Sequence, residues 1–151
     1  MKKFIQNKLK DQKGLTLIEL LAVIVILAII AAIAIPAIGN IIENSKVSAI
    51  KADAQNTLAA ANLYFTENSS PDGAVISIAA LSKHLNDKGS MQSDVVVEKV
   101  AGGNKIYGTG KETGGKTLLF AGKTNAEIGV KTYKGDTALG TIPAATITTS
   151  P

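Results

Sequence analysis

The sequence predicts an α+β fold in which one long N-terminal helix packs on a small antiparallel β-sheet. Three observations carry that expectation. Leu20 to Ile38 is an unbroken run of 19 apolar residues, and no charge stands between Glu19 and Glu43. Val47, Ile50, Ala54, Leu58, Ala61 and Phe65 then recur at spacings of three and four, which puts one apolar stripe on a soluble helix. From Asp94 onward, short β-favouring runs alternate with glycine-rich turns.

A chain of 151 residues has room for one modest core and excludes a large multidomain enzyme. It is 46% hydrophobic but only 4% aromatic, so its apolar content is aliphatic and concentrated. Cysteine is absent, which removes disulfides, thiolate metal sites and a cysteine nucleophile. The net charge of +4 is local: Lys2, Lys3, Lys8, Lys10 and Lys13 lie in the first 14 residues, opposed there only by Asp11. From Leu15 onward the charges balance, so the basicity belongs to a short segment and implies no specific nucleic-acid partner.

The apolar run is long enough to cross about 30 Å of hydrocarbon as a helix. The lysine-rich flank orients it, with residues 1–14 in the cytoplasm and the remainder outside. Ala32-Ile33-Ala34 also fits a small-x-small cleavage site, which leaves open a secreted soluble binding domain released by a conventional signal peptidase. Neither a plain anchor nor a signal peptide accounts for Glu19. A carboxylate in an apolar helix costs about 2.5–3.5 kcal/mol at the bilayer centre, less near its edge, and is a functional-site candidate by default. Pro36 and Gly39, three apart, mark the expected helix kink, because proline removes a hydrogen bond and glycine weakens the helix. Continuous from Leu15 to Phe65, the helix would measure roughly 75 Å at 1.5 Å per residue.

The turn formers Asn68 to Gly73 end it. Ser77 as N-cap, then Ile78, Leu81 and Leu85 before Gly89, predict a short helix. Val95–Val97, Lys105–Tyr107, Thr117–Phe120 and Ile128–Tyr133 are expected to form an antiparallel sheet of three to five strands, with the helical stripe covering one face. The tail, Thr141 to Pro151, is expected exposed or as an edge strand. His84 has no second imidazole and no carboxylate run beside it, so no metal and no cofactor is expected. Gly110-Lys111-Glu112-Thr113-Gly114-Gly115-Lys116-Thr117 fits the phosphate-cradling G-x-x-x-x-G-K-[ST] pattern by letter. No helical periodicity follows it, so residues 108–116 read as a flexible hairpin turn with a solvated Lys116.

Lys13-Gly14-Leu15-Thr16-Leu17-Ile18-Glu19-Leu20-Leu21 resembles the class III signal of type IV pilins and pseudopilins, with glycine, glutamate and Pro36 in one register. Leu15 stands where phenylalanine is commoner. The resemblance is close over about residues 8–65 and implies a type IV pilin-like fold. It also implies cleavage between Gly14 and Leu15 by a prepilin peptidase, N-methylation of Leu15, and Glu19 as an assembly and register residue. Cleavage would free the Leu15 ammonium one helical turn from Glu19, a pairing equally open between neighbouring subunits. The expected segments are a leader at 1–14, a transmembrane and filament-core helix at 15–42, and an amphipathic helix at 43–66. A loop with a short helix at 67–93 follows, and then the sheet and tail at 94–151. The function so implied is structural rather than enzymatic: a membrane-held precursor polymerised into a surface filament. Its implied partners are other pilin subunits, the prepilin peptidase, an assembly ATPase and a platform membrane protein.

Overall fold

A computed structural model describes the backbone of residues 2–130 with Tyr133, Gly135 and Asp136, and side chains from Leu17 onward. Helix α1 runs Lys2–Glu67, and the chain divides into two compact units, Met1–Ile42 and Glu43–Pro151. Within the first unit the aliphatic side chains stand uncovered. Leu17 is 70% exposed, Ile33 70% and Ile42 51%, because this unit holds no element that could bury them. The helix continues across Pro36 and Gly39 without a break. Pro36 brings no N–H to the ladder, and a side chain at Gly39 would meet nothing within 4 Å.

The second unit is built on the stripe. Ile50, Ala54, Leu58, Ala61 and Phe65 are all buried, and Val47 packs partly buried against them. Thr57, also fully buried, shares their side of the helix and donates its hydroxyl to the Asp53 carbonyl at 2.8 Å, which satisfies it without a partner elsewhere. The stripe meets a four-stranded antiparallel sheet in the order β1-β2-β3-β4: β1 Val75–Ser77, β2 Val96–Glu98, β3 Lys105–Lys111 and β4 Thr117–Lys123. Val97, Ile106, Leu118 and Phe120 supply the sheet's side of the core. This is the α+β arrangement of long helix and small antiparallel sheet that the patterning predicts.

Four local expectations need correction. First, β1 falls where a loop was expected, since three residues are too few for an alternating pattern to show. Second, the short helix is a 3-10 helix, Ile78–Lys83; Ser77 stands at its N-cap position as expected, but it also closes β1 and makes no side-chain cap bond. Third, Ile128–Tyr133 is not a strand through its described residues. A short helix α2, Asn125–Gly129, stands there, opened by a reciprocal capping box in which Glu127 accepts from the Thr124 amide at 2.9 Å and Thr124 accepts from the Glu127 amide. Lys131, Thr132 and the tail Thr141–Pro151 lie outside the described residues. Fourth, residues 108–111 are strand rather than turn. Gly108 and Gly110 follow Ile106 on the core face of β3, where a side chain has no room. A Cβ on Gly110 would collide with Ile50 and lie 2.7 Å from Met91 Cε, and one on Gly108 would lie 2.7 Å from the Val95 Cα. Gly108 also holds φ +121°, which L side chains rarely adopt.

Two tyrosines are tied into this unit through their hydroxyls. Tyr107 donates to Glu98 at 2.8 Å, and burial followed by that carboxylate pushes its pKa up to about 12. Tyr133 donates to the Leu119 carbonyl at 2.9 Å and is raised by burial and then by Asp136.

Two outcomes are expected for the isolated unit Glu43–Pro151, both read by thermal melts followed by circular dichroism. Leu58→Ala should destabilise it by about 2–5 kcal/mol and Leu58→Asp should unfold it, because the site is buried against the sheet. A Leu58→Asp unit that melts like the parent would show that the stripe is not the core. The second outcome concerns alkaline pH. The folded state holds the Tyr107 proton more tightly than the unfolded chain, so this contribution is complete below pH 10 and is lost as pH rises towards about 12. Tyr107→Phe should flatten the fall in melting temperature over that window; an unchanged slope would remove Tyr107 as its source.

Candidate functional site

The candidate site is the N-terminal half of α1. Gly14, Leu15 and Glu19 all lie within the helix, and the four-residue spacing places positions 15 and 19 on one face, one turn apart. Glu19 is exposed, and it is the only charged residue from Leu17 to Ile42. Around it the surface is aliphatic on all sides: Leu17, Ile18, Leu20, Leu21 and Val23 are each at least half exposed. A helix apolar all round is built for burial in protein or lipid rather than for one wet face. The segment containing it, Leu17–Glu67, is long and apolar enough to cross a membrane. With the Glu19 carboxylate at the start of such a surface, the site can accept a cation and bury aliphatic area.

The remaining candidates do not converge on chemistry. The phosphate-loop pattern is split by the fold: Gly110 and Lys111 close β3, Glu112 to Lys116 make the hairpin turn, and Thr117 opens β4. A phosphate cradle needs its amides free at the start of a helix. Here the Lys111 amide donates to the Ser90 carbonyl at 2.7 Å and the Gly115 amide to Glu112 at 3.0 Å. Nor is Lys116 simply solvated, as the sequence suggested. It forms an ion pair with Glu43, while Lys46 Nζ donates to the Gly114 carbonyl at 3.0 Å. No local pattern announces contacts between residues about seventy positions apart. His84 donates from Nε2 to the Glu67 carboxylate, 2.6 Å away, with the Tyr64 ring edge-on to it, and its Nδ1 is buried without a hydrogen bond. Among the described residues no group of three or more histidines and carboxylates could hold a metal ion.

The long helix and the small antiparallel sheet define an α+β protein, and the apolar stretch of the helix fits membrane anchoring. Residues 9–35 match the family model of the prokaryotic N-terminal methylation motif, the class III signal of type IV pilins and pseudopilins. The matched stretch contains Gly14, Leu15 and Glu19 and stops one residue before Pro36. The chain thus carries a pilin-like precursor signal. No curated protein and no solved structure matches the chain.

Lys116→Ala tests the reading of the hairpin. The pair with Glu43 is more than 40% exposed on both sides, so its loss should cost at most about 1 kcal/mol, or a few degrees of melting temperature. Isothermal titration of the unit Glu43–Pro151 with magnesium-ATP should show no binding before or after the substitution. Saturable ATP binding that Lys116→Ala abolishes would reinstate the phosphate loop.

Proposed function

We propose that the chain is a structural subunit of a type IV pilus or pseudopilus. Residues 1–14 are the leader, cut after Gly14 on the cytoplasmic side, and Leu15 becomes the N-methylated first residue. Before assembly the helix from Leu15 to Ile42 holds the subunit in the cytoplasmic membrane, N-terminus in and C-terminus out; after assembly it packs with other copies in the core of a surface filament. The observation that supports this most is the aliphatic surface from Leu17 to Ile42, uncovered in its own unit and interrupted by one carboxylate. Lipid can cover the aliphatic groups, and copies of the same helix can replace the lipid. Neither medium suits an unpaired carboxylate, which favours pairing Glu19 with the Leu15 ammonium of the same or a neighbouring subunit. Pro36 and Gly39 are the positions where the helix gives most readily to such packing. Prepilin peptidase, an assembly ATPase and a platform membrane protein are the partners this reading requires.

Processing and assembly can be tested separately. In a cell with the peptidase, Gly14→Val should leave full-length precursor in the membrane, whereas wild-type mature protein should begin at Leu15 by N-terminal sequencing. A mature protein beginning at Ile35 would identify a secreted domain instead. Glu19→Ala should be cleaved normally and inserted at least as well, since a charge is gone from the apolar helix, yet yield little sheared filament. If Glu19→Ala gave wild-type amounts of filament, the assembly role of the carboxylate would be refuted.

A further inference from the structure

We infer that the tip of the β3–β4 hairpin, Glu112 to Lys116, rests on the phosphate headgroup layer of the outer leaflet, a second membrane contact beside the α1 span. The inference builds on the membrane anchoring proposed above and adds a surface to it. Its first support is continuity. Helix α1 passes without a break from the apolar run through Ile42 into Glu43, so the turn Glu43–Lys46 is the first to leave the hydrocarbon and lies at headgroup depth.

The second support is that the hairpin tip is fastened to that same turn. Lys116 pairs with Glu43, and Lys46 donates to the Gly114 carbonyl at 3.0 Å. Gly115 sits so close that a Cβ there would lie 2.9 Å from Lys46 Cδ. These contacts lie inside the unit Glu43–Pro151 and hold the tip at the depth of the turn.

The third support is the chemistry of the tip. From Lys111 to Thr117 there is no apolar side chain to insert, and Lys111, Thr113, Gly114 and Lys116 are exposed. Three ammoniums, on Lys46, Lys111 and Lys116, face two carboxylates, on Glu43 and Glu112, which leaves a cationic excess at a polar surface. Such a surface sits among phosphates and does not enter the acyl chains. The lysines that resemble a nucleotide loop by letter thus acquire a different phosphate partner.

The lack of cysteine makes the test direct, since one introduced cysteine takes one label. Full-length Thr113→Cys and Asp72→Cys are labelled with a fluorophore and reconstituted in phosphatidylcholine–phosphatidylglycerol vesicles that carry a headgroup nitroxide quencher. Asp72 is exposed in the turn past the far end of α1, which by helix length alone is roughly 36 Å from Glu43. The label at position 113 should lose most of its fluorescence and the label at 72 little. Adding Lys46→Ala and Lys116→Ala to the Thr113→Cys chain should restore much of the lost signal while the chain still floats with vesicles. Equal quenching at the two positions in floating protein, or quenching at 113 indifferent to the loss of both lysines, would overturn the tip contact and leave the span intact. Failure of the unsubstituted chain to float would overturn the span itself and the tip contact with it.

Discussion

Ile50, Ala54, Leu58, Ala61 and Phe65 give α1 a stripe that water cannot be allowed to wet, and the four short strands give the sheet a face with the same need. β1 and β2 are three residues each, too short to persist as a sheet without a covering element. Burying one leucine-sized side chain between them contributes about 1.5–3 kcal/mol, and the stripe supplies several. The glycines of β3 belong to the same contact. Gly108 and Gly110 clear the space that Ile50, Met91 and Val95 occupy, so the helix and the connecting loop reach the sheet backbone itself. The exposed ion pairs around this core add little beside it.

The same helix meets two different requirements along its length. Past Glu43 its buried apolar residues keep to one side, and polar ones such as Asn56 and Asn62, with the half-exposed Leu63, take the rest. Before Glu43 apolar residues fill every side, and only lipid or other apolar helices can satisfy that surface. Within the second unit the tip of the β3–β4 hairpin meets the first turn of the helix, through Lys116 with Glu43 and Lys46 with Gly114.

The methylation motif, the uncovered aliphatic helix and the single carboxylate near its start are the features on which the proposed processing and packing rest. The pattern that suggests nucleotide chemistry shows why letters alone mislead: its glycines are spent on core clearance and on a hairpin turn, and the amides of Lys111 and Gly115 are already bonded. A motif of that kind has meaning only where its backbone is free to close on a ligand.

The sequence by itself determined what depends on nearest neighbours along the chain. These are the helix and its two surface regimes, the candidates Gly14, Leu15 and Glu19, the buried stripe down to Phe65, and three of the four strands. All follow from periodicity, composition or a contiguous motif. The helix at Asn125–Gly129 was also legible, since Thr124 and Glu127 form a capping box, but the β-branched residues after it carried the stronger signal. Tertiary structure alone decided the rest. Val75–Ser77 is a strand because Val96–Glu98 lies beside it, and Gly108 and Gly110 are strand because Ile50 and Met91 need their space. Lys116 meets Glu43 because the hairpin folds back onto the helix. Each of these is a contact between residues about twenty to seventy positions apart, chosen by the packing of the whole unit, and no local propensity encodes it.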